Sequence, residues 1–325
     1  MAPRIHVLHE NSVWVEPLRA QFAARELPFE EWFLDQGQVD LDAVPPEGVF
    51  YNRMSASSYT RDHRFGPELT AIVLAWLERH RRRVVNGTRA VALEVSKAAQ
   101  YAALAAAGIR TPRTIAVIGR AQLLEAASAF GTGPVILKPN RGGKGHGVQL
   151  FQSTQALREF VASDAYEAPV DGVALLQQYI RAPEPFITRA EFIGGRFFYA
   201  VRVDTRQGFE LCPADQCQVG DAYCPSGEAV GTPVIATPRF QIIDGIDPLL
   251  RRKYESFLAV NGIEIAGIEF IGDAGGNIFT YDVNTNTNYN PEAEAIDGRS
   301  GMGEIARFLG EELHALIPVR ARRVG

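Results

Sequence analysis

Apolar and polar positions alternate in short runs and helical stripes through the first third of the chain. Residues 5–8 (Ile-His-Val-Leu) read as a short buried strand, 16–27 carry apolar residues at helical spacing, and 29–34 and 49–54 read as further strands. Leu69, Ile72, Val73, Trp76 and Leu77 fall on one face of a helix predicted over 67–82. Val84-Val85 makes a short strand before Asn86-Gly87. Strands alternating with helices predict a parallel α/β lobe over roughly residues 1–90.

The pattern then changes. An alanine-rich helix is expected over 90–107, stopped by Gly108, with Pro112 leading into a strand at 114–118. A helix over 121–130, two apolar runs within 135–151, a helix over 153–162 capped by Ser153, and a strand at 173–180 follow. Strands at 186–193 and 196–203 flank Gly194-Gly195 as a two-residue hairpin. Residues 204–240 are rich in Gly, Pro and polar side chains, and long irregular segments of this kind are usually functional or disordered. A helix over 247–260, strands at 263–271 and 277–283 paired across Asp273-Ala-Gly-Gly276, and a closing helix over 303–316 complete the chain.

With 325 residues the chain can bury a large core in two or three lobes. Hydrophobic content of 46% and charged content of 22% are those of a globular protein. A net charge of −5 argues against a nucleic-acid partner. The one basic run, Arg79 to Arg83, closes an apolar helical stretch and reads as a solvated C-terminus favoured by the helix dipole. No apolar h-region opens the chain, and no apolar stretch approaches the roughly 20 residues of a membrane helix. No membrane partner and a cytoplasmic location are therefore expected. Cys212, Cys217 and Cys224 are odd in number and fit no zinc spacing, so free thiols are expected, with a metal site or a substrate-contacting thiol as alternatives.

The densest chemistry lies in Val-Ile-Leu-Lys-Pro-Asn-Arg-Gly-Gly-Lys-Gly-His-Gly-Val-Gln-Leu-Phe, residues 135–151. An apolar run ends in Lys138. Gly142, Gly143, Gly145 and Gly147 then surround Lys144 before a second apolar run. Glycines let backbone N–H groups close over an anion, and two lysines supply charge for a polyphosphate. A Walker A site needs Lys after Gly and before Ser or Thr, and a dinucleotide fingerprint needs other glycine spacing and a following helix; neither is present. A glycine-rich hairpin with a solvated lysine is the plain alternative.

Farther on, Glu269 sits in an alternating strand, and Asp282 and Asn284 end the next one. Residues two apart in a strand share a face, and the hairpin sets Glu269 opposite or diagonal to them. Two carboxylates and an amide oxygen suit Mg²⁺ or Mn²⁺, which take few carboxylates and substrate phosphates; exposed acids on a half-solvated sheet are the alternative. Arg189 and Arg202 lie on the two strands of the Gly194-Gly195 hairpin, where an inward Arg needs an anion, either a ligand or an internal partner such as Glu191 or Glu210. Tyr51 to Arg61 is dense in donors and follows a strand, so Arg53, Ser55 and Ser58 are candidates to hold a substrate carboxylate, against a plain polar loop.

Taken in order, these residues resemble the ATP-grasp superfamily, and within it the carboxylate–amine ligases similar to the ribosomal-protein S6 modification (RimK-like α-L-glutamate ligase) enzymes. The resemblance covers roughly residues 93–317. It implies an α/β fold with α+β lobes: an N-terminal parallel lobe over 1–92, a central subdomain with the glycine lid over 93–180, and a metal-binding subdomain over 181–325 that clamps ATP against it. Lys97 and Lys138 resemble the two ATP lysines, and residues 141–147 the mobile lid. Leu-Leu-Gln-Gln-Tyr-Ile resembles the adenine hinge, with Gln177 or Gln178 beside the backbone of Tyr179 and Ile180. Arg189 and Arg202, with Lys144, resemble the groups on the transferring phosphoryl; Glu269, Asp282 and Asn284 resemble the Mg²⁺ ligands. The commoner order of those two acids is Asp then Glu, and here it is reversed. The usual Asn-x-Ser-Pro-Gly is replaced by Asn284-Thr-Asn286-Thr-Asn288-Tyr-Asn290-Pro, a loop that meets substrates in the family, so glutamate specificity does not carry over.

The implied reaction joins a small-molecule carboxylate to an amine, an amino acid or peptide, through an acyl phosphate, releasing ADP and phosphate. A homo-oligomer is also implied, since relatives are often dimers or tetramers. The alternatives are a small-molecule kinase of the same fold and a non-catalytic nucleotide-binding module.

Overall fold

The computed structural model describes residues 2–143, 145–206 and 239–316. Lys144, Glu210 and the three cysteines lie outside the described residues.

The first lobe is built as its pattern predicts. Strands β1 (Arg4–His9), β2 (Phe29–Phe33), β3 (Gly48–Asn52) and β4 (Arg83–Val85) form a parallel sheet in the order β2-β1-β3-β4, joined through helices α1 (Glu16–Ala24) and α2 (Gly66–Arg79). Leu8 and Phe50 pack on Val73, Leu74 and Leu77 of α2.

One expected helix is two. α3 (Thr88–Glu94) and α4 (Lys97–Ala106) are separated at Ser96, whose backbone is extended and whose hydroxyl accepts from the Ala99 N–H at 3.2 Å. The alanines favour helix throughout, but a serine hydroxyl competes as an N-cap. The break puts Lys97 at the first position of a new helix.

The central part holds β5 (Thr114–Ile118), α5 (Arg120–Ala126), β6 (Val135–Pro139), β7 (Gln149–Phe151), α6 (Thr154–Ala162) and β8 (Val173–Gln178). Its antiparallel sheet has the order β5-β8-β6-β7, and β6 and β7 are the two apolar runs either side of the glycines.

A third sheet has the order β11-β10-β9-β12-β13, from β9 (Phe186–Ile193), β10 (Arg196–Asp204), β11 (Phe240–Ile243), β12 (Ala266–Gly272) and β13 (Ile278–Asn284). Gly194 and Gly195 both have positive φ, as a two-residue hairpin requires. Helix α7 (Pro248–Val260) covers one face through Tyr254, Phe257 and Leu258. Two elements were not anticipated: β11, and α8 (Pro291–Asp297), capped by the Asn290 side chain on the Ala293 N–H at 2.8 Å. Closing helix α9 (Gly301–Leu316) returns to the first lobe, where Ile305, Leu309 and Leu313 join Ile5, Leu18 and Phe22 in one core.

Asn86, fully buried and left-handed at φ 59°, joins the first lobe to the third sheet. Its Nδ2 donates to the carbonyls of Ile265 (2.8 Å) and Thr285 (3.0 Å), its Oδ1 accepts from the N–H groups of Glu264 (2.9 Å) and Ile265 (3.2 Å), and its own carbonyl accepts from Asn52 Nδ2 at 2.9 Å. Asn tolerates this backbone, and its amide satisfies groups that would otherwise be buried unpaired. Asn86→Ala is expected to lower the unfolding free energy by about 3 kcal/mol in urea titration, and Asn86→Gly, which relieves only the backbone, to recover a minor part of it.

Candidate active site

One cleft lies where the three sheets meet. It is lined by Ser55 and Ser57 after β3, Lys138 on β6, Gln177 on β8, Arg189 on β9, Glu269 on β12 and Asp282 and Asn284 on β13.

The β-hairpin fixes the acids. Register pairs Glu269 with Asp282 and Gly267 with Asn284, so all three oxygen-bearing side chains share one face. Each acid is held by a cation. Lys97 Nζ lies 2.5 Å from Asp282 Oδ1, and Arg189 Nη1 lies 3.4 Å from Glu269 Oε1, which also accepts from Asn284 Nδ2 at 3.3 Å. Burial, then the neighbouring Asp282, pushes the Glu269 carboxyl up, against the pull of Arg189 and Lys97. Burial works against charge on Lys97 as well, but Asp282 and the other acids outweigh it and the ammonium is held more tightly than usual.

Lys138 has no such partner. Its ammonium sits 5.2 Å from the ring centre of Tyr101 and 5.9 Å from that of Tyr281, and no hydrogen bond or ion pair reaches it among the described residues. Burial, then repulsion from Lys97, pulls it down to about 7, with Asp282 and Glu269 resisting. A buried ammonium without an anion is a site for one. The spacing of the two lysines is fixed by Asn140, whose Oδ1 accepts from the Ala98 N–H (2.9 Å) and Ser96 Oγ (3.2 Å) while its carbonyl accepts from Lys97 N–H (3.2 Å).

Gly142, Gly143 and Gly145 line the mouth of the cleft beside Lys138. A Cβ at Gly142 would stand 3.0 Å from Pro139 and one at Gly143 3.5 Å from Ser57, so this backbone passes close to both lobes. Gly147, at φ 75°, turns the chain but does not line the cleft. On the hinge side, Gln177 donates to Thr114 Oγ1 at 2.8 Å, and the Gln178 N–H is taken by Arg113 at 2.8 Å. Tyr179 and Ile180 line the cleft with backbone groups that no other described residue engages.

Arg202 departs from expectation. It pairs with Thr188, whereas Arg189 pairs with Val201, so the two arginines face opposite sides of the sheet. Arg202 is exposed and lies over the Phe186 ring at 4.7 Å; a register shift between Phe197 and Tyr199 turns it to the face away from the cleft. Arg53 is also outside. It is buried and donates to the Thr287 carbonyl (3.1 Å) and Asn288 Oδ1 (2.8 Å), so it positions the asparagine loop from behind. Ser55 lines the cleft with its hydroxyl 2.9 Å from Ser57 Oγ; Ser58 is fully buried beneath, away from it. Asn286 and Asn288 both line it.

Sequence reading missed Glu94. It is buried at the cleft wall, accepting from the Ala56 N–H (3.3 Å) with one oxygen and from Thr285 N–H (2.7 Å) and Oγ1 (3.0 Å) with the other. In the sequence it reads as an ordinary helical acid; in the structure it lies on the buried face of α3 with Ala90, Val91 and Leu93. Gly267 was also missed. A Cβ there would lie 2.5 Å from Arg189 Nε, so the guanidinium lies flat on bare backbone.

No family profile matches the chain, and no curated protein sequence does. Solved structures do, over nearly the whole length. ATP-grasp ligase PsnB complexed with minimal precursor, Mg and ADP is 16% identical with a TM-score of 0.63, covering 96% of this chain and 99% of that one. The RimK domain protein ATP-grasp from Sphaerobacter thermophilus is 18% identical at TM-score 0.61, covering 94% and 98%. VanG D-Ala:D-Ser ligase from Enterococcus faecalis is 12% identical at 0.64, covering 96% and 100%. The chain has the ATP-grasp fold.

A folded-state value of about 7 against 10.5 for an ordinary lysine means that the unfolded chain holds a proton on Lys138 that the folded protein releases. The ligand-free protein is therefore expected to gain stability as pH rises from about 7 towards 10.5. Lys138→Met removes that part of the slope in denaturant titrations across pH.

Proposed function

We propose that the chain is an ATP-dependent ligase that joins a carboxylate to an amine through an acyl phosphate, with release of ADP and phosphate. The observation that carries this is the cleft itself: a buried ammonium without a partner among the described residues shares it with two register-paired carboxylates, one buried and one half-buried, an arginine and a glycine loop. The solved complex of a protein of this fold with Mg and ADP supports the same assignment of ligands.

Glu269, Asp282 and Asn284 would hold Mg²⁺ or Mn²⁺. The donor set fits: two hard carboxylates and an amide oxygen, both acids already drawn to cations, and too few ligands to fill an octahedron without phosphate oxygens. Among the described residues no cluster of three or more His, Cys, Asp and Glu side chains competes for the ion. When bound, the metal neutralises phosphate charge and orients the polyphosphate.

The chain's own residues do the rest. Lys138 gains in the nucleotide phosphates the anion it lacks, and Lys97 supports the same charges from the start of α4. The backbone of Tyr179 and Ile180 meets the adenine edge, with Gln177 and Gln178 beside it. Arg189 faces the γ-phosphoryl group. A substrate carboxylate attacks the γ-phosphorus, and ADP leaves. The amine then attacks the acyl carbon, and phosphate leaves. Residues 142–147, with Lys144, close over the phosphates and exclude water that would hydrolyse the acyl phosphate. The asparagine loop, through Asn286 and Asn288, meets the substrates. Arg202 has no part here, since it lies on the other face.

A screen of amino-acid pairs with ATP and Mg²⁺ is expected to release phosphate in step with a new amide mass. Phosphorylated acceptor with ADP and no amide would overturn the proposal in favour of a kinase. Glu269→Gln is expected to reduce turnover by about 10²-fold or more. Gly267→Ala, which leaves every proposed ligand in place but forces the Arg189 guanidinium off its seat, is expected to reduce it by about 10²-fold with the fold retained.

A further inference from the structure

Arg189 has two acidic neighbours and uses each only in part. Its Nε lies 2.6 Å from Glu191 Oε1 and its Nη1 3.4 Å from Glu269 Oε1. Glu191 is 1% exposed, and its second oxygen, Oε2, has no hydrogen-bond partner. A buried carboxylate oxygen left unpaired is costly, so native proteins keep one where something else satisfies it.

Glu191 also lines a small cavity. Its walls include Glu191, Tyr199, Val201 and Tyr289, and it shares Arg189 and Asn288 with the main cleft. It has room for about one water-sized group, 10 Å³. Among the described residues that line the cavity, Arg189 is the one cation. Tyr199 donates its hydroxyl to Glu294 at 2.7 Å, and Tyr289 OH accepts from Thr287 Oγ1 at 3.1 Å. Burial first, with Glu269 and Glu294 adding to it, pushes the Glu191 carboxyl up to about 7 against the pull of Arg189. Once Arg189 turns its charge to a phosphoryl or acyl group, Glu191 is left with a negative charge and one open position, beside the reacting centre.

We infer that Glu191 receives the acceptor amine: the substrate nitrogen enters the small cavity as a primary ammonium and is held by Glu191 Oε2, next to the acyl group that Arg189 faces. This rests on the ligase reading. The step balances simply. The ammonium gives one proton to Glu191; the freed lone pair forms the C–N bond as the acyl C–O bond to phosphate breaks; the second nitrogen proton leaves with the phosphate. A one-group cavity admits an –NH₃⁺ head and excludes secondary and N-acylated amines.

Hydroxylamine separates this role from a merely structural one, because it is uncharged at neutral pH and needs neither an ammonium site nor a base. The full-length protein is assayed with ATP, Mg²⁺ and a panel of free amino acids and dicarboxylates as acid donors. Amide is measured with amino acids as acceptors and hydroxamate with hydroxylamine. For Glu191→Gln the ratio of amide to hydroxamate is expected to fall by about 10²- to 10⁴-fold, the range for loss of a general base, and Glu191→Asp to restore part of it. N-acetylated acceptors are expected to give no amide with the wild type. A parallel loss of both products in Glu191→Gln would mean that Glu191 only seats Arg189, and an unchanged ratio would mean that another group takes the proton; either overturns the inference. Absence of hydroxamate from the wild type with every donor would instead overturn the ligase reading itself.

Discussion

Two carboxylates, Glu269 buried and Asp282 half-buried, lie side by side on adjacent strands, and the site is organised around that repulsion. Glu269 and Asp282 are direct cross-strand partners, an arrangement that like charges disfavour unless cations intervene. Lys97 arrives from the start of α4 and Arg189 from β9, one for each acid. Both cations depend on small backbone features: the Ser96 break that begins α4, and the bare backbone at Gly267 on which the guanidinium lies. Remove either feature and an acid is left buried without a counter-charge. Lys138 is the complementary case, a cation without an anion. The cleft thus holds two acids each paired with a protein cation, and a lysine that no anion reaches among the described residues.

The same cleft is closed by the joint between the lobes. Asn86, Glu94 and Arg53 belong to the first part of the chain, yet their buried side chains bond backbone at 264–265, 285 and 287. The asparagine-rich loop is therefore not a free substrate loop. It is hung from the parallel lobe, and Arg53, which sequence alone places in the cleft, holds it from behind through Thr287 and Asn288.

Much of this was legible. The parallel lobe follows from alternation of strand and helix, and Asp282 and Asn284, two apart, share a face; the register shift between Glu269 and Phe270 then sets Glu269 against Asp282. Reversal of the acids from Asp–Glu to Glu–Asp leaves that register intact, so the face survives with a longer arm on β12 and a shorter one on β13. What failed were inferences in which propensity or spacing stood in for geometry. Alanine content predicts one helix where a serine cap makes two. Spacing across the Gly194-Gly195 turn puts Arg189 and Arg202 on one face, but the register shift between Phe197 and Tyr199 sets Val201 opposite Arg189 and turns Arg202 away. Burial cannot be read from a polar loop, so Arg53 and Ser58 looked available when they are structural.

These misplacements have a common consequence. With Arg202 outside and Arg53 behind the loop, Arg189 is the arginine that the described residues bring into the cleft. In the proposed reaction one guanidinium then faces the transferring group while remaining anchored, and the anchor is Glu191, two residues along the same strand face. A carboxylate that shares a single arginine with Glu269 cannot be fully neutralised by it. An enzyme with two arginines at this point would have charge to spare for the acyl phosphate; with one, the deficit falls on Glu191 as soon as Arg189 engages. In the proposed reaction a cationic acceptor relieves that deficit, so a single arginine in the cleft and an ammonium substrate are two sides of the same charge balance.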